Sequence, residues 1–195
     1  MNEENNTPIE VPEKKSSTLK SILKEVIIFA VIAFGIVLPF RYFIAEPYVV
    51  SGESMSPTFE SGDYLIVEKI SIKKDGPNRN DVIVFNLKDP TFKTDNERNL
   101  IKRVIGLPGE TITMKGFEIT IINKDNPEGF LLDEKFIVNK SDGDFTITLD
   151  KDEYFVMGDN RPKSYDSRSW GTLKEREIIG KPILRLLPIQ NINFY

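Results

Sequence analysis

The hydrophobic pattern divides the chain into three parts. Residues 1–20 are polar and rich in Asn, Glu, Pro, Ser and Lys, which is typical of a disordered tail. An uncharged run extends from Val26 to Phe40, is interrupted at Arg41 and resumes over residues 42–44. Beyond Glu46 the helical period gives way to short apolar segments that alternate with turn residues, which predicts β-strands.

The apolar run is long enough for a membrane-spanning helix if it continues past Arg41. The 15 residues of Val26–Phe40 make a helix of about 22 Å, which is shorter than a hydrocarbon core of about 30 Å. Continuing to Ile44 gives about 28 Å, with the Arg41 side chain directed toward the head groups. We therefore predict a disordered tail at 1–22 and a transmembrane helix at 23–45.

Two other interpretations of the run are weaker. A buried core helix would keep one polar face, but both faces here are apolar. A cleaved signal peptide would end in small residues two apart, whereas Phe43 and Ala45 occupy those places. Basic residues are concentrated before the span, at Lys14, Lys15, Lys20 and Lys24, with only Arg41 just after it. The positive-inside rule then predicts a single-pass cell-membrane protein with a cytoplasmic N-terminus and residues 46–195 outside.

Residues 46–195 are predicted to form a mainly β domain. Strand-like patterns occur in YLIVEKISI, DVIVFNL, LIKRVIGL, ETITM, FEITII, FIVN, FTITL, EYFVM and EIIGKPILRLL. Pro108-Gly109 marks a turn, and no alternation of strands with helices indicates a parallel sheet. Many short strands joined by polar or Gly/Pro turns favour an antiparallel β-sandwich or open barrel.

Composition narrows the possible chemistry. The 195 residues include 26 basic and 30 acidic side chains, for a net charge of −4, which argues against nucleic-acid binding. The chain has neither Cys nor His. Disulfides, thiol catalysis, metal sites built on Cys or His, and a Ser-His-Asp triad are therefore excluded. A hydrolase of this composition needs a carboxylate, Lys or Tyr as its general base, and no metal or other cofactor is expected.

A lysine can be that base if burial removes most of its proton affinity. To be half neutral at pH 7, a Lys pKa must fall by about 3.4 from near 10.4, which costs about 4.6 kcal/mol. Burial among apolar groups supplies shifts of this size. Lys102 is the best candidate because strand alternation places it on one face with Leu100 and Val104; Lys69 and Lys181 are poorer. Taken alone, the pattern also fits a lysine on a half-exposed strand.

Two further segments have residues suited to hydrolysis. In Ser51–Thr58, Gly52 permits an unusual backbone and Pro57 stiffens the turn, so the loop can expose the Ser54 hydroxyl and direct a backbone N–H beside it. Met157–Arg168 is too polar for a core strand, and Asp166 and Arg168 would share a face if the segment were extended. In isolation, the first segment also fits an ordinary turn and the second a solvated loop.

Taken together, these segments resemble type I signal peptidase, the Ser/Lys endopeptidase that removes signal peptides from exported proteins. The resemblance rests on GESMSPT, RNDVIVF, IKRVIGLPGE and MGDNRPKSYDSR-SWG, in the family's order behind an N-terminal apolar segment. It implies that Ser54 is the nucleophile and Lys102 the general base. It also implies that Ser164 hydrogen-bonds the base ammonium, that Asp166 and Arg168 support the loop, and that Gly158–Asn160 (Gly158, Asp159, Asn160) form the turn beside the base.

The resemblance is to the compact, Gram-positive-type branch. The Ser54 backbone N–H is expected in the oxyanion hole. Gly52 stands where another branch has an assisting serine, so the second donor stays open between a backbone N–H and a water. Residues 111–148 are expected to form a small inserted β region. The implied partners are secretory preproteins cut after a small-x-small sequence, the lipid bilayer and, transiently, the export machinery.

Three rival functions fit less well. Self-cleaving transcriptional repressors share the Ser/Lys fold by resemblance, but they would need a DNA-binding helix-turn-helix and no apolar span. A sortase-type transpeptidase needs Cys and His, and the chain has neither. A catalytically silent relative that binds signal peptides would be expected to lack Ser54, Lys102 or Ser164, all of which are present.

Overall fold

The computed structural model describes residues 16–39, 44–88 and 97–195. The chain divides into two compact units, Met1–Tyr42 and Phe43–Tyr195. Arg41, which interrupts the apolar run, lies outside the described residues, as does most of the predicted tail. The described part of that tail, residues 16–22, is helical, so the prediction of disorder is wrong there.

The first unit contains helix α1 (Ser16–Ile32), which continues into a π-helical turn at Ala33–Val37. Large apolar side chains along this helix are exposed, among them Phe29 and Phe34. Across the described ranges 16–39, 44–88 and 97–195, no helix has both the length and the apolar character that crossing a membrane requires.

The second unit is built from antiparallel strands, as the sequence predicts. The strands are β1 (Ala45–Val49), β2 (Tyr64–Glu68), β3 (Val82–Lys88), β4 (Glu97–Gly106), β5 (Thr111–Gly116), β6 (Glu118–Ile122), β7 (Phe130–Leu131), β8 (Gly143–Thr148), β9 (Glu153–Met157), β10 (Leu173–Lys174), β11 (Ile178–Leu187) and β12 (Asn193–Phe194). Two short helices, α2 (Ile70–Asp75) and α3 (Ser167–Trp170), lie between strands.

The strands form two sheets. An eight-stranded sheet has the order β1-β2-β11-β3-β4-β9-β10, with β12 paired to β11. A four-stranded sheet, β7-β6-β5-β8, comes from the region that the sequence singles out as an insert. Alternating burial in β2 and β5 shows one face of each strand turned to the core, as a half-buried strand requires. The mainly β, antiparallel fold class is therefore confirmed.

Apolar side chains from both sheets make the core. One cluster joins the small sheet to β4 and β9 through Ile105, Ile112, Met114, Ile119, Ile121, Leu132, Leu149, Phe155 and Met157. Another packs the loop after β1 onto the large sheet through Val50, Met55, Phe59, Leu65, Val67 and Val84. The loop that contains Ser54 is thus anchored by Met55 and Phe59, which are almost fully buried.

Two strand predictions are wrong. The segment YLIVEKISI ends as a strand at Glu68, and Ile70–Asp75 is helical. The Glu68 carboxylate accepts hydrogen bonds from the backbone N–H groups of Ile70 and Ser71, at 2.9 and 3.0 Å, which favours a helix start over a strand. FIVN, residues 136–139, forms no strand; only Asn139 makes an isolated bridge, to Asn160.

Candidate active site

Ser54 and Lys102 lie side by side, brought together by a loop and a strand. Ser54 lies in the loop that follows β1, and Lys102 lies within β4. The Lys102 Nζ is 2.8 Å from the Ser54 Oγ and also donates to the Ile101 carbonyl oxygen at 2.8 Å. Lys102 is only 3% exposed. The two residue types that a Ser/Lys hydrolase needs are therefore within hydrogen-bonding distance in a site with little solvent.

Burial lowers the pKa of Lys102 to about 8, although the Asp166 and Asp159 carboxylates raise it. Desolvation disfavours the ammonium form, and nearby negative charge only partly compensates. Within the described residues, no carboxylate forms an ion pair with Lys102. At pH 8 about half of the Lys102 side chains are neutral and able to accept a proton.

The turn Gly158–Asn160 holds the Ser54 loop from the other side. The Asn160 backbone N–H donates to the Ser54 carbonyl oxygen at 3.0 Å, and the Gly158 N–H donates to Asp166 Oδ2 at 3.0 Å. A Cβ atom on Gly158 would overlap both the Ser54 carbonyl oxygen and the Ser164 side chain. Only glycine allows this close approach of two backbone segments.

A buried ion pair links the turn to the same loop. Arg103 binds Asp159 through two hydrogen bonds, Nε to Oδ1 at 2.8 Å and Nη2 to Oδ2 at 2.5 Å. The Thr58 hydroxyl donates to the same carboxylate at 2.5 Å, and Asp159 is fully buried. Thr58 is four residues after Ser54, so this network fixes the far end of the Ser54 loop.

Asp166 and Arg168 do pair, but in a helix and not in an extended segment. Asp166 is the N-cap of α3 and accepts from the Arg168 backbone N–H. The Arg168 guanidinium binds both oxygens of the Asp166 carboxylate at 2.8 Å. The expected face-sharing of an extended segment is therefore wrong, and the pairing follows from capping geometry instead.

A cleft of about 120 Å³ opens beside Ser54 and Lys102. Residues 48–51 line one side, and residues 99–102 line the other. In the described part of the chain, β1 pairs only with β2, while β9 pairs with β4 only from Arg103 to Gly106. The cleft therefore lies between two strand edges whose backbone groups are open to a further strand.

Ser164 and Gly52 differ from what the family resemblance implies or leaves open. Among the described residues, the buried Ser164 hydroxyl has no hydrogen-bond partner, so the expected hydrogen bond to the Lys102 ammonium is not formed. Gly52 has a φ of +93°, and its N–H donates to the Ser61 hydroxyl at 3.4 Å. The positive φ explains why glycine occupies this position before Ser54.

Comparison with known proteins identifies the family of this chain. Residues 23–187 match the family described as signal peptidase, peptidase S26. A signal peptidase I from Leptolyngbya laminosa is 37% identical over 182 residues, which cover 92% of this chain and 85% of that protein. The chain belongs to the signal peptidase family. Signal peptidase I P of Bacillus subtilis subsp. natto is 36% identical over 187 residues, 92% of this chain and 95% of its own.

A solved signal peptidase structure is also similar. The crystal structure of a signal peptidase I from Enterococcus faecalis shares 32% sequence identity, covers 54% of this chain and 95% of its own, and gives a TM-score of 0.42. The resemblance to the signal peptidase family stated from the sequence is thus confirmed by the family match and by the curated relatives.

The structure also brings in residues that the sequence did not single out for this signal peptidase site. Thr58 and Arg161 contact the turn directly, and Glu134 binds Arg161. No local pattern marks Thr58 or Glu134, because their partners are 101 and 27 positions away. Within the described residues, no group of three or more His, Cys, Asp or Glu side chains is placed to hold a metal ion.

Proposed function

We propose that this signal peptidase removes N-terminal signal peptides from exported preproteins with Ser54 as nucleophile and Lys102 as general base. The contact that supports the assignment most strongly is the 2.8 Å distance between Lys102 Nζ and Ser54 Oγ. Burial that lowers the pKa of Lys102 to about 8 adds to it, because a base must be neutral to accept a proton.

The reaction proceeds in two halves. Neutral Lys102 takes the Ser54 hydroxyl proton as the Ser54 Oγ attacks the scissile carbonyl carbon. The tetrahedral intermediate collapses, the peptide C–N bond breaks and the Lys102 ammonium gives its proton to the leaving amine, which becomes the new N-terminus of the mature protein. Lys102 then deprotonates a water that attacks the acyl ester, and the signal peptide leaves as a carboxylate while Ser54 recovers its proton.

The Ser54 backbone N–H is the oxyanion donor in this proposal. It belongs to the attacking residue itself, so it is close to the place where the carbonyl oxygen gains charge. The positive φ of Gly52 sets the path of the chain just before it. The Asn160 N–H binds the Ser54 carbonyl oxygen at 3.0 Å and so restrains the next peptide group, between Ser54 and Met55.

The substrate binds as an extended strand in the cleft. Its backbone pairs with the open edges of β1 and β4, and its side chains alternate between the two sides. Leu65 and Val84 contribute apolar lining to this small cleft. A cleft of this size and character suits Ala-like side chains, in agreement with cleavage after a small-x-small sequence.

The remaining predicted residues position the pair. Asp159 and Asn160 tie the turn to the Ser54 loop, and Asp166 with Arg168 holds the turn from behind. In the same proposal Ser164 orients the Lys102 ammonium. The observation that supports this role is that the Ser164 hydroxyl is buried without a partner and lies, like the Ser54 carbonyl oxygen, against Gly158.

We also propose that residues 23–44, up to the start of β1 at Ala45, anchor the enzyme in the cell membrane, with residues 1–22 in the cytoplasm and the catalytic unit outside. The run Val26–Phe40 has no charged residue, and lysines are concentrated before it. Tethering would raise the enzyme's effective concentration at substrates whose apolar segment is in the same bilayer, beside the export machinery.

Cleavage of a purified secretory preprotein tests the function. We expect wild-type protein in detergent to cut after a small-x-small site, and Ser54→Ala and Lys102→Ala each to lose at least about 10³-fold in rate. Matched controls are Ser56→Ala, in the same loop, and Lys181→Ala, which should both stay within a few-fold of wild type. Inert but folded wild-type protein would overturn the proposed function. If Lys102→Ala stays active while Ser54→Ala is inert, the protease function stands but Lys102 is not the general base.

A further inference from the structure

The segment that joins β7 to β8 reaches out of the small sheet to the active-site turn. Residues 132–142, the β7–β8 segment, make four separate contacts there. Glu134 forms an ion pair with Arg161, Ser141 accepts from Arg168, Asn139 bridges to Asn160, and the Phe136 ring lies 3.9 Å from the Arg103 guanidinium. Through this segment the small sheet is connected to three arginines beside the turn, Arg103, Arg161 and Arg168.

The contact through Glu134 is the most deeply buried of the four. The Glu134 side chain is 5% exposed and that of Arg161 is 2% exposed. Removing two such charges from water is costly. When one partner of a buried pair is lost, the folded protein is strongly destabilised because the other charge stays buried and unpaired. We therefore look for a role of the Glu134–Arg161 pair beyond a surface contact. The exposed pair of Asp133 with Lys135 in the same segment has no such burial and serves as a comparison.

Arg161 connects Glu134 to the turn. Its Nε donates to the Gly158 carbonyl oxygen at 3.0 Å, and its own carbonyl oxygen accepts from Arg168 Nη2 at 2.7 Å. The opposite side of Gly158 touches the Ser54 carbonyl and Ser164. Glu134 thus holds the Arg161 guanidinium in place. That guanidinium holds the Gly158 backbone, which contacts the Ser54 loop.

We propose that Glu134 is a positioning residue for peptide cleavage, acting through Arg161 to hold the Gly158–Asn160 turn against Ser54 and Lys102. The small sheet is then a working part of the active site and not only an insert. This inference rests on the proposed function, because it concerns the same Ser54 and Lys102 pair.

The proposal has a signature in the pH profile. The charged groups around Lys102 are the carboxylates of Asp159 and Asp166, each paired with an arginine. Loosening the turn would admit water to Lys102 Nζ and raise its pKa, because desolvation is what lowers it. Simple loss of a negative charge at Glu134 would lower the same pKa, so the direction of the change separates the two effects.

The test compares Glu134→Gln with the matched control Asp133→Asn, which removes the neighbouring, exposed carboxylate. For Glu134→Gln we expect kcat for preprotein cleavage to fall about tenfold, KM to change less than about twofold, and the acid limb of kcat/KM to move to higher pH. Asp133→Asn should match wild type. A double variant, Glu134→Gln with Arg161→Gln, should lose no more than Arg161→Gln alone, because one residue acts through the other.

Thermal unfolding of each variant separates positioning from loss of fold. If Glu134→Gln does not fold, Glu134→Asp, which keeps the charge and shortens the side chain, replaces it in the same comparison. Unchanged kcat and an unchanged acid limb in a folded variant would overturn the proposal, and so would additive losses in the double variant or a limb that moves to lower pH. If wild type itself fails to cleave, the proposed function fails instead.

Discussion

Lys102 and Arg103 are adjacent on β4, and both are buried, yet their surroundings differ in kind. The Arg103 guanidinium binds the Asp159 carboxylate twice, donates to the Asn80 carbonyl oxygen at 2.7 Å and stacks on Phe136. Among the residues that the structure describes, the Lys102 ammonium has only neutral hydrogen-bond partners, the Ser54 hydroxyl and a backbone carbonyl. Strand alternation directs the two side chains to opposite faces, so one strand supports both environments.

The difference shows how a fold separates a structural cation from a reactive one. A buried cation with a carboxylate partner keeps its charge and ties distant segments together. A buried cation with neutral partners gives up its proton more easily, and burial lowers the pKa of Lys102 to about 8. The residue types suit these tasks, since guanidinium forms bidentate pairs and an amine titrates readily.

The largest expected effect comes from replacing Lys102 with a cation that, like Arg103, does not lose its proton. In Lys102→Arg the positive charge stays but the side chain cannot be deprotonated, so single-turnover cleavage should fall about 10⁴-fold above pH 9, where wild-type Lys102 is mostly neutral. The reciprocal Arg103→Lys keeps the charge beside Asp159 and should lose far less. Cleavage by folded Lys102→Arg at more than a tenth of the wild-type rate would show that no neutral base is needed at this position.

Next in size is the cost of leaving Asp159 without its partner. Arg103→Met leaves a fully buried carboxylate unpaired, which should lower the free energy of unfolding by about 3–5 kcal/mol in urea titrations. Adding Asp159→Asn removes the unpaired charge and still lets the amide oxygen accept from Thr58, so stability should partly recover. If the double variant is as unstable as the single one, the ion pair is not what Arg103 contributes.

The smallest effect concerns the long-range charge on Lys102. The Asp166 carboxylate raises the pKa of Lys102, so Asp166→Asn should lower that pKa and move the acid limb of kcat/KM to lower pH, by less than about one unit. The amide oxygen can still accept from the Gly158 N–H. Asp152→Asn, at an exposed carboxylate paired with Lys174, serves as the control and should leave the limb in place. If the acid limb moves to higher pH in Asp166→Asn, the Asp166 carboxylate does not raise the pKa of Lys102 as assigned here.

Local patterns in the sequence predict much of this fold. Alternation and turn residues identify most of the antiparallel strands, and alternation around Lys102 identifies the lysine that the structure buries. The pattern fails at Ile70–Asp75, where a carboxylate capping the first turn favours helix over the apolar, β-branched composition. It fails again at residues 136–139, where the Phe136 ring packs on the Arg103 guanidinium and the Val138 side chain is exposed.

The supporting contacts of the site are beyond such patterns. Arg103 and Asp159 are 56 positions apart, and Glu134 and Arg161 are 27 apart, so only the folded chain shows that they pair. Asp166 and Arg168 are close enough for their pairing to be anticipated, but the N-cap that produces it was not. Chain order and residue type locate the reacting groups, whereas tertiary packing decides which residues hold them.

The most direct test of the central claim is the pH dependence of kcat/KM for preprotein cleavage by the wild-type enzyme. If Lys102 must be neutral to accept the Ser54 proton, and its pKa is about 8, the logarithm of the rate should rise with unit slope below pH 8. The rate should then stay level into alkaline conditions. A profile that is flat from pH 5.5 to 8 would contradict Lys102 as the general base.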